Sequence, residues 1–232
     1  MAEILSKPKE ILELFFVGTL VRARNLVENC KVFVRYYRNF QFFKIDFLMF
    51  LLYFFRGPFH ISKCFLLDKG EEDIYDYGET PLTTLENIAK ESECSSSDTL
   101  FELGCGRGKT AFWLNCFTGC KVVGIEIIPT FIEKARFIKS WFKVDGVEFR
   151  NEDILSTDYS GATMLYLYGT TMEKETIVAL IEKFKSLPKG TKIMTVSFPL
   201  SDYTAEALFR TEKIFTVTFN WGDSNVFLQT KL

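Results

Sequence analysis

The 232 residues are 47% hydrophobic and 16% aromatic, enough to bury one substantial core plus an appendage, and no internal repeat or low-complexity segment interrupts them. The net charge of −2 conceals a division: residues 1–63 hold ten Lys/Arg against five Asp/Glu, and residues 64–232 hold eighteen against twenty-five. The six cysteines form no Cys-x-x-Cys pair and His60 is the single histidine, which speaks against a metal site and for a reduced compartment.

The basic part is also aromatic, with eleven of the 25 Phe and three of the nine Tyr. Residues 1–63 are therefore expected to form a basic, aromatic-rich helical segment distinct from a domain at 64–232. Residues 1–10 are a polar start without the features of a secretory signal. Residues 11–21 predict a helix, and a basic amphipathic region follows at 22–44, where Arg22, Arg24, Lys31, Arg35, Arg38 and Lys44 alternate with Val32, Phe33, Val34, Phe40, Phe42 and Phe43. The longest charge-free apolar run covers only residues 47–55. As a helix it would span about 14 Å at ~1.5 Å per residue, against a hydrocarbon core of roughly 30 Å. The pattern predicts helices lying in a membrane interface through residues 11–55, with a cap on the following domain, a self-association surface or a true span as alternatives. An intracellular, cytoplasmic protein peripheral to a membrane is the expectation.

Gly57-Pro58 breaks this region, and residues 59–76 read as a connector that turns acidic at Glu71, Glu72, Asp73 and Asp76. In residues 77–92 Thr80 or Thr83 is placed to cap a helix that turns Leu82, Leu85, Ile88 and Ala89 inward. Residues 98–109, DTLFELGCGRGK, read as strand, glycine loop and helix, a loop that exposes helix N-terminal amides to a ligand. The spacing around Gly104, Gly106 and Gly108 is not the Gly-x-Gly-x-x-Gly of dinucleotide sites. Glu102 beside the loop would repel a pyrophosphate and suits a cationic ligand such as S-adenosylmethionine. NAD is the competing cofactor, and it leaves Glu102 and the spacing unexplained. Here the chain resembles the class I methyltransferases, whose first motif has this Glu/Asp-x-Gly-x-Gly-x-Gly form.

Beyond the loop the pattern predicts a helix over 110–117, strands at 121–126, 146–150, 162–168 and 192–198, helices from Pro129 and over 173–185, and an antiparallel pair at 214–220 and 225–230. Alternating strands and helices imply a mainly parallel sheet covered on both faces. With the resemblance, the expected fold is α/β: a Rossmann-like, doubly wound, seven-stranded methyltransferase sheet with an N-terminal helical extension. Ligands of such sheets sit at the strands' carboxyl ends, where Glu102, Glu126 and Asp153 fall in turn. Glu126 can accept both ribose hydroxyls and Asp153 the adenine amino group.

A longer resemblance covers about residues 75–200. YGETPLTTLENIAKE, FELGCGRGK, GIE, EDILSTDYSGATMLYLYG and LPKGTKIMTVSFP are similar, in content and order, to the non-SET histone lysine methyltransferases of the disruptor-of-telomeric-silencing type and to the membrane-anchored mitochondrial lysine methyltransferases. The resemblance implies that Tyr77, Gly78, Glu79 and Thr80 cover the methionine end of the cofactor, and that Glu102, Gly104, Cys105, Gly106, Gly108, Glu126, Asp153 and Ile154 complete the pocket. It implies a narrow acceptor channel lined by Tyr168, Phe198 and Pro199, with Tyr168 as the catalytic residue. Where the histone enzymes have an asparagine pair this chain has Leu167-Tyr168, and it has no long basic tail for DNA. A protein-lysine N-methyltransferase acting at a membrane is therefore expected, with no nucleic acid partner and no metal. Methylation of a small molecule or lipid headgroup, or a silent cofactor-binding scaffold, are the alternatives.

Overall fold

The computed structural model describes residues 8–71, 74 and 77–232, with side chains from residue 18 onward except residue 20. The first seven residues, the side chains of 8–17, and Glu72, Asp73 and Asp76 of the acidic connector lie outside the described residues. Strands β1 (Thr99–Leu103), β2 (Lys121–Glu126), β3 (Val147–Asn151), β4 (Met164–Leu167), β5 (Lys192–Val196), β6 (Phe209–Thr218) and β7 (Asp223–Lys231) form one sheet in the order β3-β2-β1-β4-β5-β7-β6. The first five are parallel; β7 runs antiparallel between β5 and β6.

Helices α1 (Pro8–Tyr36), α2 (Phe40–Tyr53), α3 (Pro58–Lys69) and α4 (Leu82–Glu91) precede the sheet, and α5 (Lys109–Thr118), α6 (Pro129–Phe142) and α7 (Lys174–Phe184) connect its strands. Strand alternation divides the interior in two. Leu100, Val122, Met164, Tyr166 and Met194 face a layer built by α1, α2, α4, α5 and α6, while Phe101, Leu103, Ile125, Leu165 and Ile193 face α7.

Two local expectations need correction. Residues 58–69 form helix α3, started by Pro58 at its first turn and stopped by Gly70 at φ +77°, rather than a connector. Helix α4 begins without a side-chain cap after Pro81. Thr80 is engaged instead with the Tyr166 hydroxyl at 2.7 Å, and Thr83 donates its hydroxyl to Glu28 of α1 at 2.6 Å. Tertiary partners have taken the oxygens that a cap would use.

The N-terminal helices share the core of the sheet. Asn39 caps α2 by accepting from the Phe42 amide at 3.1 Å, and Phe42, Ile45, Asp46, Met49 and Tyr53 recur at helical spacing on its buried face. Phe42 is fully buried and meets Phe117 of α5 edge-on, with ring centroids 5.5 Å apart. Asp46 is buried among these residues and pairs with Lys109 Nζ at 3.0 Å while accepting from the Tyr37 hydroxyl at 2.8 Å. An α2 seated this deeply unfolds with the sheet. Phe42→Ala should cost about 3–5 kcal/mol in a single urea transition. A loss under about 1 kcal/mol would mean that α2 lies outside the cooperative core.

Candidate functional site

The site forms where β1 and β2 end. The Ile125 carbonyl accepts from the Gly104 and Cys105 amides, both at 2.9 Å, and Glu126 accepts from the Gly106 amide and from Ile128 at the start of α6, again at 2.9 Å each. Gly104 has φ +79° and open space where a Cβ would stand; a Cβ on Gly108, also at φ +79°, would lie 2.5 Å from the Phe149 ring. The first position leaves room for a ligand and the second lets α5 pack on the sheet.

Glu102 sits between Gly124 and Tyr166 in the sheet register and is 4% exposed. One carboxylate oxygen accepts from the Thr110 hydroxyl, and the other is buried with no partner. Burial pushes its pKa up to about 8, with the Glu126 charge adding to the shift against the Thr110 hydrogen bond. Burial also raises the pKa of Glu126, opposed by the amides that it accepts from.

Residues 77–80 close over the loop. The Tyr77 hydroxyl donates to Glu79 Oε1 at 2.7 Å, and Arg107 pairs with Glu79 Oε2 at 2.7 Å. Gly78 lets this segment touch Tyr168, whose ring would stand 2.9 Å from any Cβ there. Tyr77, Gly78, Glu79, Thr80, Glu102, Gly104, Cys105, Gly106 and Tyr168 thus line one pocket with Arg107, Lys109, Thr110 and Tyr166. The pocket is narrow, about 30 Å³.

The remaining expected residues lie elsewhere. Gly108 and Glu126 support the loop from behind. Asp153 is exposed, its Oδ1 accepting from the Leu155 amide at 2.8 Å, and Ile154 packs against the α7-side core. Phe198 is not brought to Tyr168. Ser197 at φ +76° breaks the alternation beyond β5, and Phe198 packs instead into the α7-side core, edge-on to Tyr203. Pro199 precedes a 3-10 turn at Leu200–Tyr203.

Tyr168 has other aromatic company. Its ring stacks on Phe219 (centroids 5.1 Å, 16° between planes), Phe219 stacks on Trp221 (5.3 Å, 6°), and the Trp221 indole N–H donates to the Tyr168 hydroxyl at 3.0 Å. Sequence reasoning assigned Phe219 and Trp221 to a hairpin and did not connect them with Tyr168, 53 residues away from Trp221. The Trp-Gly pair at a hairpin tip was the available signal.

The residues fit S-adenosylmethionine: an unpartnered buried carboxylate oxygen for a cationic end, open space before Gly104, and Glu126 at the second strand end. Among the described residues no group of His, Cys, Asp and Glu is arranged to hold a metal ion.

Comparison with known proteins agrees with this geometry. Residues 95–215 match the family described as methyltransferase domain. The H3 lysine-79 specific histone-lysine N-methyltransferase of Dictyostelium discoideum is 26% identical over 135 residues, 52% of this chain but only 7% of that protein. Among solved structures, an RNA methyltransferase from Salinibacter ruber bound to S-adenosyl-L-homocysteine is 27% identical with a TM-score of 0.55, covering 66% of this chain and 94% of that one. TrmN from Thermus thermophilus shares the fold at 13% identity and a TM-score of 0.56, covering 64% of this chain and 48% of that one. With a Gly-x-Gly-x-Gly loop at the head of a β3-β2-β1-β4-β5-β7-β6 sheet, the chain belongs to the methyltransferase-domain family and is a class I S-adenosylmethionine-dependent methyltransferase.

Proposed function

We propose that this enzyme methylates the side-chain amine of a lysine in a protein held at a membrane surface. The observation that carries the lysine reading is the Tyr168–Phe219–Trp221 stack beside the cofactor pocket. The cofactor supplies a methyl group on a sulfonium sulfur and leaves as the thioether. What the chain must add is alignment, exclusion of water and a neutral acceptor. Aromatic faces hold a methylene stem and a cationic tip together, and desolvation at the tip favours loss of the ammonium proton. The lysine-79 specific relative and the YGET segment support this reading.

Trp221→Ala should raise the acceptor KM by about tenfold and leave the affinity for S-adenosylhomocysteine unchanged, because Trp221 lies outside the lining of the cofactor pocket. The acceptor itself is identified by transferring labelled methyl into membranes and hydrolysing the protein. Methyl-lysine is the expected product; label confined to a lipid extract or to RNA would overturn the lysine reading, and no label despite bound cofactor would leave a scaffold.

Glu102 ties cofactor binding to pH. With its pKa near 8 in the ligand-free chain, it is largely protonated at neutral pH, and an ammonium placed against it draws the pKa down. Binding therefore releases a proton below pH 8, so affinity rises with pH up to about 8 and is level above it. Calorimetric titration with S-adenosylhomocysteine should show Kd falling by up to about tenfold per pH unit between about pH 6 and 7.5, a slope that Glu102→Gln abolishes. A slope that survives in the variant would take Glu102 away from the amino end of the cofactor.

The membrane part rests on what α2 leaves outside. Phe40, Phe43 and Phe47 form a row of stacked rings, Phe50, Phe54 and Phe55 meet edge-on, and Phe55 is 92% exposed. Lys44 lies over the Phe40 ring at 5.0 Å and Arg56 is exposed beside Phe55, the mixture that suits anionic headgroups above acyl chains. Among the described residues no helix is long and apolar enough to cross a membrane, so contact would be interfacial. The intact chain should float with vesicles containing phosphatidylserine at low salt, and exchange of Phe50, Phe54 and Phe55 for serine should leave it at the bottom of the gradient. Sedimentation of the unaltered chain would refute the tether.

A further inference from the structure

A larger cavity, of 770 Å³, lies between α1, α4 and the end of β6. One buried ring stands between it and the acceptor side of the site: Phe219 lines this groove and stacks on Tyr168, which lines the cofactor pocket. A segment lying in the groove would therefore be one ring away from Tyr168.

The charge of the groove is lopsided. Arg24, Lys31, Arg35 and Lys90 line it against Glu28 and Glu86. Both carboxylates are already engaged from within the fold. Glu28 accepts from the Thr83 amide at 3.0 Å and hydroxyl at 2.6 Å, and Glu86 accepts from the Tyr36 hydroxyl at 2.7 Å and pairs with Arg35 at 3.1 Å. Arg24 donates to the Asn220 carbonyl at 3.4 Å, and Lys31 and Lys90 are exposed. The four cations thus exceed the two carboxylates; Arg24, Lys31 and Arg35 come from the basic residues 1–63, and Lys90 from the acidic residues 64–232. A locally positive groove selects its partner by charge.

We propose that this groove receives an acidic stretch of the substrate protein, next to the lysine presented at Tyr168 and Trp221. The proposal rests on the lysine reading given above and adds to it the chemistry that flanks the acceptor. An extended acidic segment can reach Lys31, Lys90 and Arg24 in turn, and the side-chain amide of Asn87 lines the same wall for its backbone. A nucleic acid suits the groove less well, because the ring of Phe219 is buried rather than presented for base stacking.

The test uses the intact chain and two fluorescent peptides of about twelve residues with a central lysine, one flanked by Asp and Glu and one by Asn and Gln in the same order. Anisotropy should give at least about tenfold tighter binding of the acidic peptide, lost in a Lys31→Glu, Lys90→Glu double variant. Neither lysine lines the cofactor pocket, so the variant should bind S-adenosylhomocysteine as the unaltered chain does, which also reports that it is folded. A Lys31→Gln, Lys90→Gln variant should fall between the two. Equal binding of the two peptides, or an acidic preference that persists after charge reversal, overturns the groove. An oligouridylate that displaces the acidic peptide and binds more tightly through the same two lysines overturns it in favour of RNA. Acidic-peptide binding that obeys the variants, without formation of methyl-lysine in either peptide, keeps the groove and defeats the lysine reading alone.

Discussion

The glycine loop depends on one buried carboxylate. Glu126 stands at the end of β2, accepts from the Gly106 amide with one oxygen and from the Ile128 amide with the other, and so fastens the loop after β1 to the start of α6. A carboxylate this deep costs free energy to desolvate, and the amides repay it only if both stay in place. The same constraint fixes what surrounds it. Gly106 must approach closely, Gly108 must admit the Phe149 ring, and α5 must begin at Lys109, whose ammonium then meets Asp46 of α2. Through that pair the shape of the loop reaches the N-terminal helices.

Those helices carry two surfaces on one short stretch of sequence. The face of α2 with Phe42, Ile45, Met49 and Tyr53 is core, and the face with Phe47, Phe50 and Phe54 is exposed. Tyr53 lies under Arg107 and Lys134 as a cation–π partner, and Arg107 is the residue between the last two glycines of the loop. A force on the exposed face is thus two contacts away from the cofactor pocket. The basic N-terminal part is joined to the loop by a buried ion pair rather than hung from it on a linker.

Where structure follows from neighbouring residues, it was legible. The strand–glycine–helix unit, β2 at 121–126 and the start of α6 at Pro129 all follow from turn chemistry and periodicity within a dozen residues. The cofactor side of the site was legible for the same reason: its residues sit on and beside that unit, and most of those expected from 77 to 106 line one pocket. What was not legible depends on distant partners. Thr80 looks like a cap until Tyr166, 86 residues on, takes its hydroxyl. Phe198 follows β5 in the right register for the Tyr168 face until Ser197 adopts a positive φ and turns it over. Trp221 and Tyr168 meet only after the antiparallel β6–β7 pair is added to the sheet edge, which no local pattern encodes. Helix α3 was hidden because Gly57-Pro58, read as a break, is its N-cap and first residue.

Tyr77, Glu79 and Arg107 form one polar network beside the glycine loop. Glu79 is held by Arg107 and Tyr77 at once, a half-buried ion pair with one neutral donor, and all three residues line the cofactor pocket. Such a pair is stable while water is scarce around it and while nothing better charged arrives. A ligand bearing both an ammonium and a carboxylate is better charged on both counts, since it offers Glu79 a cation and Arg107 an anion without leaving either buried and alone. The pair in the pocket lining therefore offers a cation and an anion to an amino-acid-ended ligand, and the Glu102 oxygen, buried and unpartnered, is a further acceptor for an ammonium.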